Sequence, residues 1–190
     1  MNTPDLRVEY VATGDMSESM RAAKHALQVT CFADVPADEI YEYFVAEPIG
    51  SVLAWEGAEL VGCVSVHKRT ITVAGEDIVL GGYGGTCTRA DRRRQGIGAK
   101  VCAVAMEQLR REGCAVAVLA VGEDGATVPF YERQGYRLLG RPFEIVTASG
   151  KRVLPEGDLA MIAPVTSPDV LERIMEGEGP FFIGPEPGYW

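Results

Sequence analysis

Apolar and polar residues alternate from Asp5 to Ala12 (Asp-Leu-Arg-Val-Glu-Tyr-Val-Ala), the period of an opening strand with one face on a core. Thr13, Gly14 and Asp15 break it. Met20, Ala23, Leu27 and Cys31 then recur every three or four residues, so the segment from about Met16 to Phe32 predicts an amphipathic helix. A loop over Asp34–Ala37 leads into a second helix, opened by Asp38 and Glu39 and running to Tyr43 or Phe44. Ser51–Trp55 and Leu60–His67 read as strands about the turn Glu56-Gly57-Ala58-Glu59. A third strand over about Lys68–Val73 turns at Ala74-Gly75-Glu76-Asp77 into a fourth from Ile78, completing an antiparallel meander.

Beyond the meander, Ile97, Val101, Ala105 and Leu109 lie four apart on one helical face, and Gly113 is a C-terminal cap. Cys114–Val121 is nearly all apolar, as a strand buried on both faces would be. Gly122-Glu123-Asp124-Gly125 is a loop, Val128–Gln134 a short helix stopped by Gly135, and Tyr136–Leu139 the start of another strand. Glu144–Thr147 and Asp158–Pro164 suggest a last hairpin across Ser149-Gly150. A short helix after Ser167-Pro168-Asp169 and a Gly/Pro/aromatic tail to Trp190 close the chain. No repeat and no linker interrupts residues 1–190, which predicts one domain, with 140–190 as hairpin, helix and tail.

Composition narrows the classes of function. With 47% hydrophobic and 24% charged residues, the 190-residue chain can bury a core. It has no run of about 18 apolar residues, so no membrane span is expected. The N-terminus lacks the basic and apolar regions of a secretory signal. Five cysteines without Cys-x-x-Cys spacing, and two histidines, offer no metal set or disulfide framework, so a reducing, cytosolic setting is the expectation. Net charge is −9 but uneven: residues 1–60 carry 11 acids and 3 bases, residues 155–190 carry 7 acids and 1 base, and residues 88–112 carry 7 bases and 3 acids. The acidic body argues against nucleic acid. The pattern is either ordinary solubility charge or the mark of two ligands of opposite sign.

The basic stretch runs from Gly81 to Lys100 and contains Arg93-Arg94-Gln95-Gly96-Ile97-Gly98 between a strand and an amphipathic helix. Glycines allow close backbone approach, and the N–H groups of a first helical turn have no internal partner, so the turn asks for an anion such as pyrophosphate. It matches neither the P-loop nor the dinucleotide fingerprint. About thirty residues on stands Val-Pro-Phe-Tyr-Glu-Arg-Gln-Gly-Tyr, Val128 to Tyr136.

Together these elements resemble the GNAT superfamily of acetyl-CoA-dependent N-acetyltransferases. The resemblance implies an α/β (α+β) fold with a mixed central sheet of about six to eight strands, splayed at its centre, and helices on both faces. It implies acetyl-CoA as cofactor, with its pyrophosphate on the backbone of Arg94, Gln95, Gly96, Ile97, Gly98 and Ala99, Arg93 nearby, and the pantetheine arm on Thr86, Cys87 and Thr88. Tyr131 matches the tyrosine that protonates the departing thiolate, and the Cys87 N–H would polarise the thioester. The reaction implied is direct attack of a substrate amine in a ternary complex.

A narrower resemblance comes from Gly-Tyr-Gly-Gly-x-x-x-Arg-Ala-Asp, the hairpin near Ser149–Pro164 and the acidic, aromatic tail. These look like the aminoglycoside 2′-N-acetyltransferases, and imply a small cationic amine, gentamicin- or kasugamycin-like, at Asp34, Asp38, Glu39, Tyr83, Gly84, Glu186 and the carboxylate of Trp190. That family has a glutamate where Gly84 stands and an aspartate where Gly188 stands. Glu123 or Asp124 then supplies the base, directly or through water, unless both are plain loop acids. The alternatives are an acetyltransferase of another metabolite or protein amine, a longer acyl donor, and a silent module that binds CoA or a drug. A homodimer through the hairpin or tail rests on analogy alone.

Overall fold

The computed structural model describes residues 5–190, without the side chains of residues 37–39. The elements in order are β1 (Leu6–Ala12), α1 (Glu18–Cys31), α2 (Ala37–Tyr43), β2 (Gly50–Glu56), β3 (Glu59–Val73), β4 (Glu76–Thr88), α3 (Ile97–Arg111), β5 (Val116–Gly122), α4 (Val128–Glu132), β6 (Arg137–Leu138), β7 (Phe143–Val146), β8 (Arg152–Val153), β9 (Asp158–Pro164), α5 (Pro168–Glu176) and β10 (Phe181–Pro187). Seven strands form a mixed sheet in the order β1-β2-β3-β4-β5-β9-β6, and β10, β7 and β8 form a second, three-stranded sheet.

Local chemistry explains the element boundaries. Ser17 Oγ accepts the Met20 N–H at 3.2 Å and starts α1. Gly96, at φ +80°, turns the chain into α3, which buries Ile97, Val101, Cys102, Ala105 and Leu109. Gly113, at φ +72°, ends the turn beyond it. The apolar stripe of α3 packs with Val64, Val66 and Tyr83 on one face of the sheet, together with Tyr131 of α4. The opposite face carries α1, over Leu53, Cys63 and Cys87, and farther along α5 and the small sheet, over Leu80, Val116 and Ile162.

Two readings of the chain are corrected. Lys68–Val73 is no separate strand: β3 runs unbroken for 15 residues and pairs with β4 from Gly62 to Val73, so the meander is β2-β3-β4. The polar run Lys68-Arg69-Thr70 hides an intact alternation, with His67, Arg69 and Ile71 buried and Lys68, Thr70 and Thr72 exposed. Arg69 can point inward because the tail satisfies it: its guanidinium donates to the main-chain oxygens of Ile183, Glu186 and Gly188 at 3.5, 3.1 and 3.0 Å. The second correction concerns the last hairpin. Asp158–Pro164 lies in the main sheet between β5 and β6, whereas β7 pairs with β8 and, in parallel, with β10. The tail thus includes a strand, and Ile183 and Trp190 bury in the core.

The feature that positions the site is the parting of β4 and β5. They are parallel partners only over Leu80–Gly82 and Val116–Val118, although β4 continues to Thr88 and β5 to Gly122. Past the parting β5 stays bonded to β9. Beside it β4 carries a bulge: Cys87 opposes Cys63 and Gly84 opposes Ser65, which leaves one extra β4 residue, with Gly85 at φ +60°.

Candidate active site

Two cavities flank the bulged strand. The first, about 600 Å³, is a groove lined by Thr86, Cys87 and Thr88 of β4, by the turn Arg92–Arg94, by Gly96–Ala99, and by Thr127, Phe130, Tyr131 and Arg133 around α4. Lys100 is the first α3 amide to find a carbonyl within the helix (Gly96 O, 3.1 Å), so the N–H groups of Ile97, Gly98 and Ala99 remain for a ligand. Gly96 has open space where a β-carbon would stand, and Arg94 is held at φ +62°. Among the described residues, Arg93, Arg94 and Arg133 have no carboxylate partner, whereas Arg92 is tied to Glu56 at 2.7 Å and to Asp91 at 3.2 Å. Thr86 Oγ1 is buried within reach of the Tyr131 hydroxyl. A row of free N–H groups and three guanidinium groups without a described carboxylate partner along one groove fit a long anion.

A family model for an acetyltransferase (GNAT) domain matches residues 13–139. The chain belongs to that family. It is therefore an acyl-CoA-dependent N-acetyltransferase that uses acetyl-CoA. Solved structures of the same fold include a Lactobacillus plantarum protein provisionally described as an N-acetyltransferase (TM-score 0.60, 18% identity, 84% of this chain and 98% of that one). Escherichia coli ElaA matches with TM-score 0.59 and 13% identity over 84% of this chain and 99% of that one. Eis1 from Mycobacterium abscessus matches with TM-score 0.57 and 17% identity over 75% of this chain and 32% of that one. At such identities the likeness is one of fold. No curated protein matches the sequence.

Every residue expected to hold acetyl-CoA lines the groove except Gln95, whose side-chain amide turns back to the Asp91 carbonyl at 3.3 Å. Thr127, Phe130 and Arg133 join the groove without having been foreseen. Tyr131 is buried against Tyr83 and Tyr136, at ring separations of 6.4 and 5.9 Å. Burial pushes its phenol up to about 12, with the Thr86 hydroxyl acting the other way. The Cys87 thiol touches Cys63 Sγ at 3.4 Å, and that contact, with burial, pushes its pKa up, which disfavours the thiolate.

The second cavity, about 390 Å³, lies on the α1 face of β4 and shares Phe32 with the groove. Its walls come from Lys24, His25, Gln28 and Val29 of α1, from the segment Phe32–Pro48, from Ser65 and His67 of β3, from Gly84 and Gly85, and from Tyr189 and Trp190. Trp190 organises it. The buried indole stacks on His67 (centroids 5.2 Å apart, 13° between planes) and lies under the Arg69 guanidinium at 4.3 Å. Its Nε1–H donates to the Val118 carbonyl at 3.0 Å, the acceptor left where β4 parts from β5. A β-carbon on Gly82 would fall 1.8 Å from that Nε1, and one on Gly84 would fall 2.1 Å from the Trp190 main-chain carbon. Position 84 is glycine because the main chain of Trp190 occupies the space of its side chain.

The expected substrate residues scatter. Gly84 and Trp190 line the second cavity. Tyr83 points to the other side of the sheet and sits in the core beneath α3. Asp34 and Glu186 are exposed and line neither cavity, and Glu123 and Asp124 are exposed loop acids, Asp124 accepting the Ala126 N–H at 3.0 Å. Asp38 and Glu39 belong to α2, but their side chains lie outside the described residues. Among the described residues no carboxylate side chain lines the second cavity. Sequence reasoning missed Lys24, Gln28, Ser65 and His67; the signal was polar residues at helical spacing beside Leu27, and at every second position of β3.

Burial, helped by the charges of Lys24 and Arg69, holds His67 at about 3. A pKa below the ordinary value of about 6.5 means that the unfolded chain binds the proton more readily. The stabilisation is complete above about pH 6.5 and is lost as pH falls toward 3. At 1.4 kcal/mol per unit, about 2 kcal/mol is gone at pH 5. His67→Phe is expected to flatten that limb, measured as the difference between urea midpoints at pH 7 and pH 5 for the two proteins.

Proposed function

We propose that this acetyltransferase acetylates a primary amine of a small molecule held in the second cavity, by direct transfer in a ternary complex, with residues 140–190 completing the acceptor site. The observation that supports it is the placing of the two cavities on adjacent stretches of one bulged strand, Thr86–Thr88 for one and Gly84–Gly85 for the other.

Bound acetyl-CoA supplies an activated acetyl group. The first-turn N–H groups of α3, with Arg93, Arg94 and Arg133, would hold its pyrophosphate, each charge-assisted bond contributing roughly 1.5–3 kcal/mol. The Cys87 amide, next to the bulge, would donate to the carbonyl oxygen. Tyr131 keeps its proton at every ordinary pH, because a phenol near 12 is a weaker acid than a thiol near 8.5. It therefore gives the leaving sulfur a hydrogen bond and does not fully surrender its proton, a narrower role than general acid. On the acceptor side the main-chain oxygen of Trp190 takes a hydrogen bond from the incoming nitrogen. Lys24 and Arg69 do in part the work of a base: nearby cations lower the pKa of the substrate ammonium, each unit making the free amine available at about 1.4 kcal/mol less cost.

The aminoglycoside reading rests on the acidity of residues 1–60 and on the short motifs around Gly84 and the tail. The lining includes the Lys24 ammonium, held on Ser65, and a cation at that place favours a small amine of lower charge over a polycation. Calorimetry with acetyl-CoA, followed by thiol release with aminoglycosides, polyamines, amino acids and peptides, tests the assignment. Binding together with amine-dependent thiol release is expected. Binding without turnover on any amine would instead support a silent CoA-binding module.

A further inference from the structure

We propose that the acceptor is an apolar α-amino acid, its carboxylate on Lys24 and its side chain against the apolar wall formed by Val29, Phe32, Ile40 and Phe44. This rests on the acetyltransferase reading and specifies the acceptor. The first observation is the state of Lys24. Its ammonium donates to Ser65 Oγ at 2.7 Å and has no carboxylate partner among the described residues, which leaves two of its three donors without a described acceptor. Burial lowers its pKa, as expected for a cation taken out of water without a counter-ion. Ser65 pairs directly with Gly84, so the lysine head lies one cross-strand step from the Trp190 main chain, on the same sheet face. A carboxylate and an amine on adjacent carbons would reach from Lys24 toward that main-chain oxygen.

The second observation is the wall. Val29, Ile40 and Phe44 line the cavity yet remain 56%, 40% and 43% exposed, and Phe32 joins them where the two cavities meet. The volume, 390 Å³, falls at the small end of the ligand-site range of about 300–1,000 Å³. Polar recognition at one end and an apolar wall at the other suit a compact amphiphile. A polycation would set several ammonium groups against Lys24, whose positive charge is felt at His67 together with that of Arg69. In the reaction the neutral α-amine forms the new N–C bond and the acetyl–sulfur bond breaks. The nitrogen loses one proton and the thiol product carries one, giving an N-acetyl amino acid and CoA.

The test compares kcat/KM for phenylalanine, phenylalaninamide and phenethylamine, with spermidine and kanamycin as polycations, in the parent protein, Lys24→Met and Lys24→Arg. Phenylalanine is expected to exceed both carboxylate-free analogues at least tenfold. Lys24→Met should reduce that ratio at least tenfold, and Lys24→Arg should largely retain it; near-UV circular dichroism checks folding. Equal use of the three analogues, preference for the amide (the mark of a peptide N-terminus) or for a polycation, or an unaltered ratio in Lys24→Met overturns the inference while the acetyltransferase reading stands. Absence of thiol release with every amine overturns both.

Discussion

Trp190→Ala is expected to destabilise the protein by about 3–5 kcal/mol, the usual range for truncating a buried aromatic. One indole fills the gap where β4 and β5 separate, and three interactions leave with it: the stack on His67, the cation–π contact with Arg69 and the bond to the Val118 carbonyl. The loss reaches beyond the cavity. Arg69 would keep its bonds to Ile183, Glu186 and Gly188 only as long as the tail stays docked, and a buried guanidinium without partners is unfavourable. Tail and clamp should therefore fail together, and amine-dependent thiol release should fall with them while acetyl-CoA still binds in its groove across β4. Trp190→Phe keeps the ring and orphans the Val118 carbonyl, for a loss of about 1–3 kcal/mol. Urea midpoints for both variants, with calorimetric titration of acetyl-CoA, read these outcomes. An alanine variant with an unshifted midpoint would show that the tail does not hold the sheet.

Tyr131→Phe is expected to lower kcat about 10²–10³-fold, the usual effect of removing one donor from developing negative charge. Acetyl-CoA affinity should stay within a few-fold, since the phenylalanine fills the same space against Tyr83 and Tyr136. Because burial raises the phenol to about 12, the parent enzyme should show no alkaline decline attributable to this residue below about pH 11. A decline near pH 9 that Tyr131→Phe abolishes would mean that the phenol is far more acidic than its surroundings imply. Stopped-flow thiol detection across pH 6–10.5 makes both comparisons.

What was legible in the chain was legible for local reasons. An amphipathic period predicted α1 and α3, an apolar run predicted β5, and Gly135 stopped α4. The turn that lines the groove was accessible because it is consecutive backbone, Arg94 to Ala99, and the N–H groups of a first helical turn suit an anion. The misreadings have equally specific causes. Lys68-Arg69-Thr70 looked like the end of a strand, because an inward arginine makes sense only once three carbonyls from residues 183–188 arrive to meet it. Asp158–Pro164 looked like the mate of β7, because two short apolar strands close in sequence do not reveal that one belongs to another sheet.

The acceptor site divides the same way. The sequence alone pointed to an anion at Gly96–Ala99, since the donors, the glycines and the helix start are neighbours in the chain. It also marked Gly84 as anomalous without a cause. Only the tertiary structure supplied that cause, by laying the main chain of Trp190, 106 positions away, against the glycine. The uneven charge along the chain left solubility and two ligands of opposite sign both open, and the folded cavity brings Lys24 and Arg69 near His67 while Asp34 and Glu186 stay outside the lining. The physical reason is that a pocket's field depends on which few charges the fold brings within several ångströms, and counting residues along a segment carries no such distances.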